Sequence, residues 1–361
     1  LTRWVDPKIG TGGHGHVFVG ANVPFGLVQV GPTSIPQDWD WCSGYHASDS
    51  ICIGFAHLHL NGTGCSDTGD LIFMPTTGTP QVCPGSQEDP DSGYASRYSH
   101  QRETATPAYY RLHLDDYGIE AELTATERVG FHRYGFPETP GSRQIVINLF
   151  DGNGDDRATE TFLEQEDDRT IRGYRYSTGW SKRQRIYFSA RFSIPVKLDI
   201  YRDDRPVEGS SVERGVNIKG IVRLPDDTQS VSVKVGISPV SMSGADRNIE
   251  SELPGWDFEE TVRRTARKWE RELDKVAVEG ADDRTRRIFY TGLYHAFLQP
   301  ALFNDCDGRY RGADGMVHED PGHETYTVFS LWDTYRAAHP LYTLLQAGRV
   351  PDMVLTMLDI H

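Results

Sequence analysis

Two short stretches carry residue types from which a binding or catalytic site could be made. The first is His57-Leu-His-Leu-Asn-Gly-Thr-Gly-Cys-Ser-Asp-Thr-Gly-Asp70. Side chains alternate along a strand, so His57 and His59 point to one side, as a pair of metal-ligating imidazoles would. Directly after them, Asn61, Gly62, Thr63, Gly64, Cys65, Ser66 and Asp67 set small polar residues among glycines. Glycine lets a backbone approach a ligand closely, and Asn, Thr, Ser and Asp offer groups that hydrogen-bond sugar hydroxyls. A structural turn beside a buried, hydrogen-bonded His pair fits the same residues. Asn61-Gly-Thr63 is also an N-glycosylation sequon, in a loop whose composition speaks against attachment.

The second stretch is Tyr326-Thr-Val-Phe-Ser-Leu-Trp-Asp-Thr-Tyr-Arg336. A helix predicted from about Val328 to His339, stopping before Pro340, sets Phe329, Asp333 and Arg336 near one face with Trp332 beside them. An indole next to a carboxylate suits a pyranose. The ring covers the sugar's C–H face while the carboxylate accepts from two hydroxyls. The competing reading is an Asp333–Arg336 surface pair with Trp332 in the core. Three other motifs weaken on inspection. Gly10-Thr-Gly-Gly-His-Gly-His16 lacks the Gly-Lys-Ser/Thr of a phosphate loop. Asp151-Gly-Asn-Gly-Asp155 begins like a calcium loop, but Asp156 replaces the required glycine and Phe162 the bidentate Glu, so it reads as a turn. Trp39-Asp-Trp41 reads equally as a sugar platform or as core.

The elements that must position these residues change along the chain. Residues 1–245 read as short strands, for example Phe25–Val30, Gln144–Phe150, Arg185–Phe192 and Ser230–Ile237, several alternating apolar with polar. Turn chemistry separates them, so an antiparallel β-sandwich is the expected architecture. The period changes near Pro254-Gly255. Asp257 and Glu260 have capping-box spacing, and Phe258, Val262, Ala266, Trp269 and Leu273 then recur at helical steps. A second helix is predicted over Thr285–Leu298. The expected division is a sandwich over 1–245, a helical linker over 246–280 and further helices over 281–361. The last residues end inside an apolar helix-like pattern without a cap, from which the chain is expected to continue in the full protein.

Composition narrows the function class. Among 361 residues, 52 acidic and 37 basic side chains give a net charge of −15, which disfavours nucleic acid as a partner. No apolar run reaches the ~18–20 residues of a membrane span. Surplus acid suits calcium handling, although a solvated acidic surface is the commoner reason. The five cysteines are odd in number and lack zinc-type spacing. A disulfide within 42–83 stays open, without a readable pairing. The chain opens at Leu1 without an apolar leader, as a mature form after signal cleavage would.

Taken together, these stretches resemble glycoside hydrolase family 92, the calcium-dependent exo-α-mannosidases. The matching residues include Val5–Thr11, Gly20–Gly26, Gly44-Tyr-His46, Gly54–Asp70, Trp269–Leu273, Phe289–His295 and Ser330–Arg336. The blocks at 54–70 and 326–336 are the specific ones. The resemblance implies a mixed β-then-α chain: an N-terminal antiparallel β-sandwich followed by the start of an (α/α)6 barrel, with the active site in the cleft between them. It implies a secreted, extracellular or periplasmic enzyme that removes terminal α-mannose with inversion, assisted by Ca2+. Substrate contacts carry over to Asp333, Trp332 and His59, and to Asn61, Gly62, Thr63, Gly64, Cys65 and Asp67. The general acid, the general base and most calcium ligands are expected downstream of His361, in the remainder of the catalytic domain. Two other classes compete. One is a non-catalytic carbohydrate-binding sandwich; the other is a zinc hydrolase built on His57 and His59, which would need a third ligand.

Overall fold

The computed structural model describes residues 1–139, 141–319 and 322–361. Alternation fixes the strand register. In Ile119–Ala125, Ile119, Ala121 and Leu123 point into the core while Glu120 and Glu122 stay half-exposed. Strands of this kind build two stacked sheets. The eight-stranded sheet centres on Ile72–Thr77, Arg143–Asn148 and Ile218–Leu224, and the nine-stranded sheet on Gln184–Phe192, Ser230–Ser238 and Val129–Gly135. These central pairs are antiparallel, for example Ile145 opposite Val222 and His132 opposite Val233. Phe55, Phe73, Ile147, Phe188 and Val235 fill the space between the sheets.

Three of the four expected strands lie within two residues of their expected ends. The fourth differs: Phe25 sits at φ +56° and the strand begins only at Gln29. A left-handed residue cannot continue an extended run, and Phe25 instead donates its N–H to Phe297 O across to the helical part.

The last sandwich strand ends at Ser238, and helix α1 spans Met242–Glu252 with Ser241 as its N-cap. The sequence reading missed α1. Its apolar residues are few, and it is held by packing: Ile249 and Leu253 join Val129, Phe131 and Phe258 in a small cluster on the outer face of the nine-stranded sheet. Helix α2 spans Phe258–Leu273, capped by Asp257, which accepts from Glu260 N at 2.8 Å. Its buried face is Phe258, Thr261, Thr265, Trp269 and Leu273. Two of these also tie the helix to strands, Thr265 Oγ1 donating to Ala125 O at 2.6 Å and Trp269 Nε1 to Asn22 O at 2.7 Å. Helix α3 covers Asp283–Ala296, close to expectation.

The predicted Val328–His339 helix does not form. A single turn, α4, spans Leu331–Thr334, and a separate helix, α5, runs Ala338–Leu345. Val328, at φ +63°, blocks an earlier start. Pro340 falls in the first turn of α5, where its missing N–H leaves no helical bond unmade. Helix α6 covers Val350–Ile360. No helix among the described residues is long and apolar enough to cross a membrane, and all five cysteines are free thiols.

Candidate functional site

The loop between Gly54–Ala56 and Ile72–Thr77 is braced from beneath. Asp67 accepts from the backbone N–H of Thr68 and of Ser181, both at 2.8 Å. Asp70 accepts from Gln184 Nε2 at 2.9 Å and from Arg175 Nη1 at 3.2 Å. Arg175 has no exposed side-chain surface, lies 2.6 Å from Asp156 and donates to Leu149 O at 2.8 Å. Burial pushes the Asp70 carboxyl up to about 7 against the pull of Arg175, and raises Asp156 as well. The 151–156 segment is a turn beneath this loop. Asn153 gives its N–H to Thr68 O and its side-chain amide to the carbonyls of Trp41 and Cys42. At Gly154, φ is +58° and a Cβ would fall 2.0 Å from Ser66 Cβ, so glycine alone permits the approach.

The two histidines do not form a metal pair. His57 is fully buried, with Nδ1 2.7 Å from Leu71 O and Nε2 2.9 Å from His132 Nε2. His132 Nδ1 in turn lies 2.7 Å from Tyr134 OH. Both His57 nitrogens are therefore occupied, which removes the zinc hydrolase reading. His59 gives Nδ1–H to Gln29 O at 2.8 Å and keeps Nε2 unpartnered. Burial pushes His57 down to about 3, His59 to about 4 and His132 well below the usual imidazole range. Among the described residues, no group of three or more His, Cys, Asp or Glu could hold a metal ion. The side chains of this stretch therefore do not fit a calcium cage, which needs about 6–8 oxygen ligands.

Above the braced loop lies a cavity of about 170 Å3 whose walls come from distant parts of the chain: Asn61, Gly62 and Thr63 from the sandwich, His295 and Gln299 after α3, and Phe329 and Asp333 around α4. Against the ~300–1,000 Å3 of pockets for larger ligands, this suits one small ring. Asn61 faces it with its side chain already engaged. Its Oδ1 accepts from Phe18 N at 3.0 Å, and its Nδ2 donates to His295 O at 3.4 Å. Gly62 has φ +71°, and a Cβ there would meet nothing within 4 Å, so the space over it is open.

Asp333 is exposed on α4 and accepts from Ser330 Oγ rather than pairing with Arg336. Its carboxylate is thereby aimed by this local bond yet keeps acceptor capacity. Val328, a β-branched residue in the left-handed region, turns the chain into this wall. His295 went unnoticed as a site residue in the sequence. Burial holds its imidazole down to about 4, hence neutral, and Nε2 has no partner. Its signals were its place at the end of a helical pattern and in the Phe289–His295 block that carries the family resemblance.

The remaining expected residues divide. His59 and Asp67 line a second, larger cleft of about 1370 Å3, which also includes Trp180 and Tyr326. Gly64 packs against Trp39, whose Cζ2 would lie 3.1 Å from a Cβ there. The Cys65 thiol is pushed up to about 11 by burial, with the charges of Asp67 and Asp333 adding to the rise. Trp332 is 89% exposed and borders neither cavity, so it is not a core residue of this chain.

Comparison with known proteins assigns the fold. Residues 4–238 match the Glycosyl hydrolase family 92 N-terminal domain, and residues 244–361 the Glycosyl hydrolase family 92 catalytic domain. A family GH92 alpha-mannosidase of Bacteroides thetaiotaomicron, solved in complex with mannoimidazole, superposes with TM-score 0.95 at 38% identity, covering 99% of this chain and 48% of that one. An inverting GH92 mannosidase from the same organism superposes with TM-score 0.85 at 25% identity, covering 98% and 47%. An uncharacterized secreted glycosidase of Arthroderma benhamiae is 27% identical over 344 residues, 83% of this chain and 42% of its own length. The chain spans about half the length of these relatives. It belongs to glycoside hydrolase family 92.

Proposed function

We propose that this member of glycoside hydrolase family 92 is the N-terminal part of a secreted, extracellular or periplasmic inverting exo-α-mannosidase acting on α-mannoside oligosaccharides. The observation that carries the reading is the shared cavity. Asp333 and the Asn61–Thr63 loop, some 270 residues apart in sequence, meet around a space suited to one sugar ring.

In this role Asp333 accepts hydrogen bonds from two mannose hydroxyls, charge-assisted and held in direction by Ser330. The neutral imidazole of His295 lines the same cavity, its Nε2 buried and unpartnered. The open backbone over Gly62 lets the ring approach the loop closely. Inversion needs a general acid and a general base about 6.5–9.5 Å apart on opposite sides of the scissile bond. Neither is assigned to this stretch, and both fall to the remainder of the catalytic domain. Calcium assistance belongs to the proposal on family resemblance alone. The sandwich unit is taken as 1–245, the helical linker as 246–280 and the start of the (α/α)6 barrel as 281–361.

The test is the full-length protein incubated with α-mannobiose and with an aryl α-mannoside, the released sugar being followed by proton NMR from the first turnovers. β-Mannose should appear before mutarotation. Release of α-mannose first, or no release of mannose, would sink the proposal.

A further inference from the structure

Beneath the site loop, three acids meet one base. Arg175, on the strand Thr170–Thr178, places Nη1 3.2 Å from Asp70 Oδ2 and 2.6 Å from Asp156 Oδ2. Its Nε and Nη2 donate to the carbonyls of Leu149 and Phe150. Asp67, three residues before Asp70, adds its negative charge to the surroundings of both Asp70 and Asp156. All four side chains are buried. The backbone packs directly on them. A Cβ on Gly152 would lie 2.2 Å from Asp156 Oδ2, and one on Gly179 would lie 3.0 Å from Asp67 Oδ1.

Hydrogen bonds do not make up for the missing positive charge. Asp67 is provided for by the N–H groups of Thr68 and Ser181. Asp70 has Gln184 and Arg175 on Oδ2, but its Oδ1 has no partner among the described residues. Asp156 Oδ1 likewise has none among them. An ionised carboxylate can only accept, and in a closed site it is costly without donors; a protonated one carries no charge. Two carboxyls beside one guanidinium therefore titrate as a unit, with one member held neutral. Burial raises both above the ordinary carboxylate range, against the pull of Arg175.

We propose that Asp70 and Asp156 hold one proton between them, and that this proton keeps the Asn61–Thr63 wall of the small cavity seated on its brace. With the proton in place, a single carboxylate of the pair faces Arg175. The 151–156 turn then stays docked, with Asn153 N–H on Thr68 O at 2.7 Å and Gly154 against Ser66. When the proton leaves on the alkaline side, two buried carboxylates share one counter-charge and repel. The turn lifts from the loop, and the sandwich wall loosens while Asp333 keeps its place on α4. Asp70 and Asp156 are thus positioning residues, and the fold carries a pH-sensitive catch separate from the acid and base of hydrolysis. The link to turnover rests on the mannosidase reading; the proton does not.

The experiment follows the full-length protein across acid, neutral and mildly alkaline pH, as wild type, Asp70→Asn and Asp156→Asn. Each variant leaves one carboxylate for one guanidinium and needs no shared proton. Between about pH 4 and 7, the unfolding constant of the wild type in urea should rise relative to either variant by up to about tenfold per pH unit, because the folded pair keeps a proton that the unfolded chain releases. Above about pH 7, KM for an aryl α-mannoside should climb in the wild type and stay level in both variants. Should the variants fail to fold, infrared spectra of wild type labelled with carboxyl-13C aspartate should show a protonated carboxyl at about pH 6 that is lost by about pH 8. A constant ratio of unfolding constants between wild type and both variants, or no protonated aspartate at about pH 6, would overturn the shared proton. Coincident KM profiles would overturn its hold on the loop. Wild type inert on mannosides at every pH, with the unfolding difference intact, would instead overturn the mannosidase reading.

Discussion

The two walls of the small cavity are built on opposite principles. The sandwich wall, Asn61–Thr63, is tied down from every side, by Phe18 N and His16 O above and by the Asn153 turn and the Arg175–Asp70–Asp156 cluster beneath. The helical wall around Asp333 is one helical turn with exposed neighbours and no side-chain N-cap bond. The polar side chains that make the loop look like a ligand site are largely occupied in holding its shape. The group best placed to hold a ligand sits on the least embedded element. A loop rich in polar residues is therefore weak evidence of contact, whereas a lone carboxylate with spare acceptor capacity at a cavity mouth is stronger.

The sharpest way to break this contrast is to pull the brace from the sandwich wall. Arg175→Met leaves Asp70 and Asp156 buried without their counter-charge, and loss of one partner of a buried ion pair costs about 3–5 kcal/mol. Urea unfolding should show that loss. A change under about 1 kcal/mol would mean that the loop is held by its backbone contacts alone.

The helical wall should respond in the opposite manner. Asp333→Ala removes two charge-assisted bonds to sugar, each roughly 1.5–3 kcal/mol, so kcat/KM on an aryl α-mannoside should drop at least about a hundredfold. The melting temperature should hardly move, because Asp333 is exposed and bonds through its side chain to the neighbouring Ser330. Near-normal turnover would reject its assignment to the sugar.

A third measurement isolates the buried imidazoles behind the sandwich wall. His57 and His59 are depressed to about 3 and about 4, and His132 lies lower still than its usual value. As pH falls from 6.5 toward 4, the unfolded chain takes up protons that these folded residues refuse. Each such His then withdraws up to about 1.4 kcal/mol of stability per pH unit, an effect absent above about pH 7. Asp70, raised to about 7, acts in the opposite sense over much of the same range. The informative quantity is therefore a difference between two proteins. His132→Phe should flatten the fall in stability between pH 6.5 and 4 by about 1.4 kcal/mol per unit, read from denaturant midpoints at each pH. Identical slopes would show that His132 titrates normally.

The smallest effect belongs to Trp332. At 89% exposure, Trp332→Ala should alter the stability of this chain by no more than about 0.5 kcal/mol. A larger loss would show that α4 is more embedded than its surroundings indicate.

Much of this was legible from the sequence where the reporting signal is local. Strand alternation and the Asp257 cap are read within a few residues, and they are where they were expected. Helix α1 was hidden because Ile249 and Leu253 gain their meaning from Val129 and Phe131, more than a hundred residues away. The helix drawn through 328–339 failed because periodicity cannot report that Val328 takes a left-handed conformation. At the site, the loop and Asp333 could be singled out by residue type. That Asn61 is engaged on both ends of its amide, that Asp67 and His59 face a different cleft, and that His295 completes the small one are facts of tertiary approach. No spacing rule carries them.

The line from Tyr134 through His132 and His57 to Leu71 has only one consistent placement of hydrogens. Leu71 O can only accept, so His57 carries its hydrogen on Nδ1 and leaves Nε2 bare. His132 must then donate from Nε2 and accept at Nδ1, which leaves the Tyr134 hydroxyl to start the series. The dipoles all run one way, and turning any one of them would set two hydrogens or two lone pairs face to face. His57, which reads in sequence as one arm of a His-x-His chelate, is thus a link in a polarised filament through the sandwich, while His59 bonds apart from it to Gln29 O. Nitrogen-15 shifts of the two rings should report opposite tautomers, Nδ1–H in His57 and Nε2–H in His132.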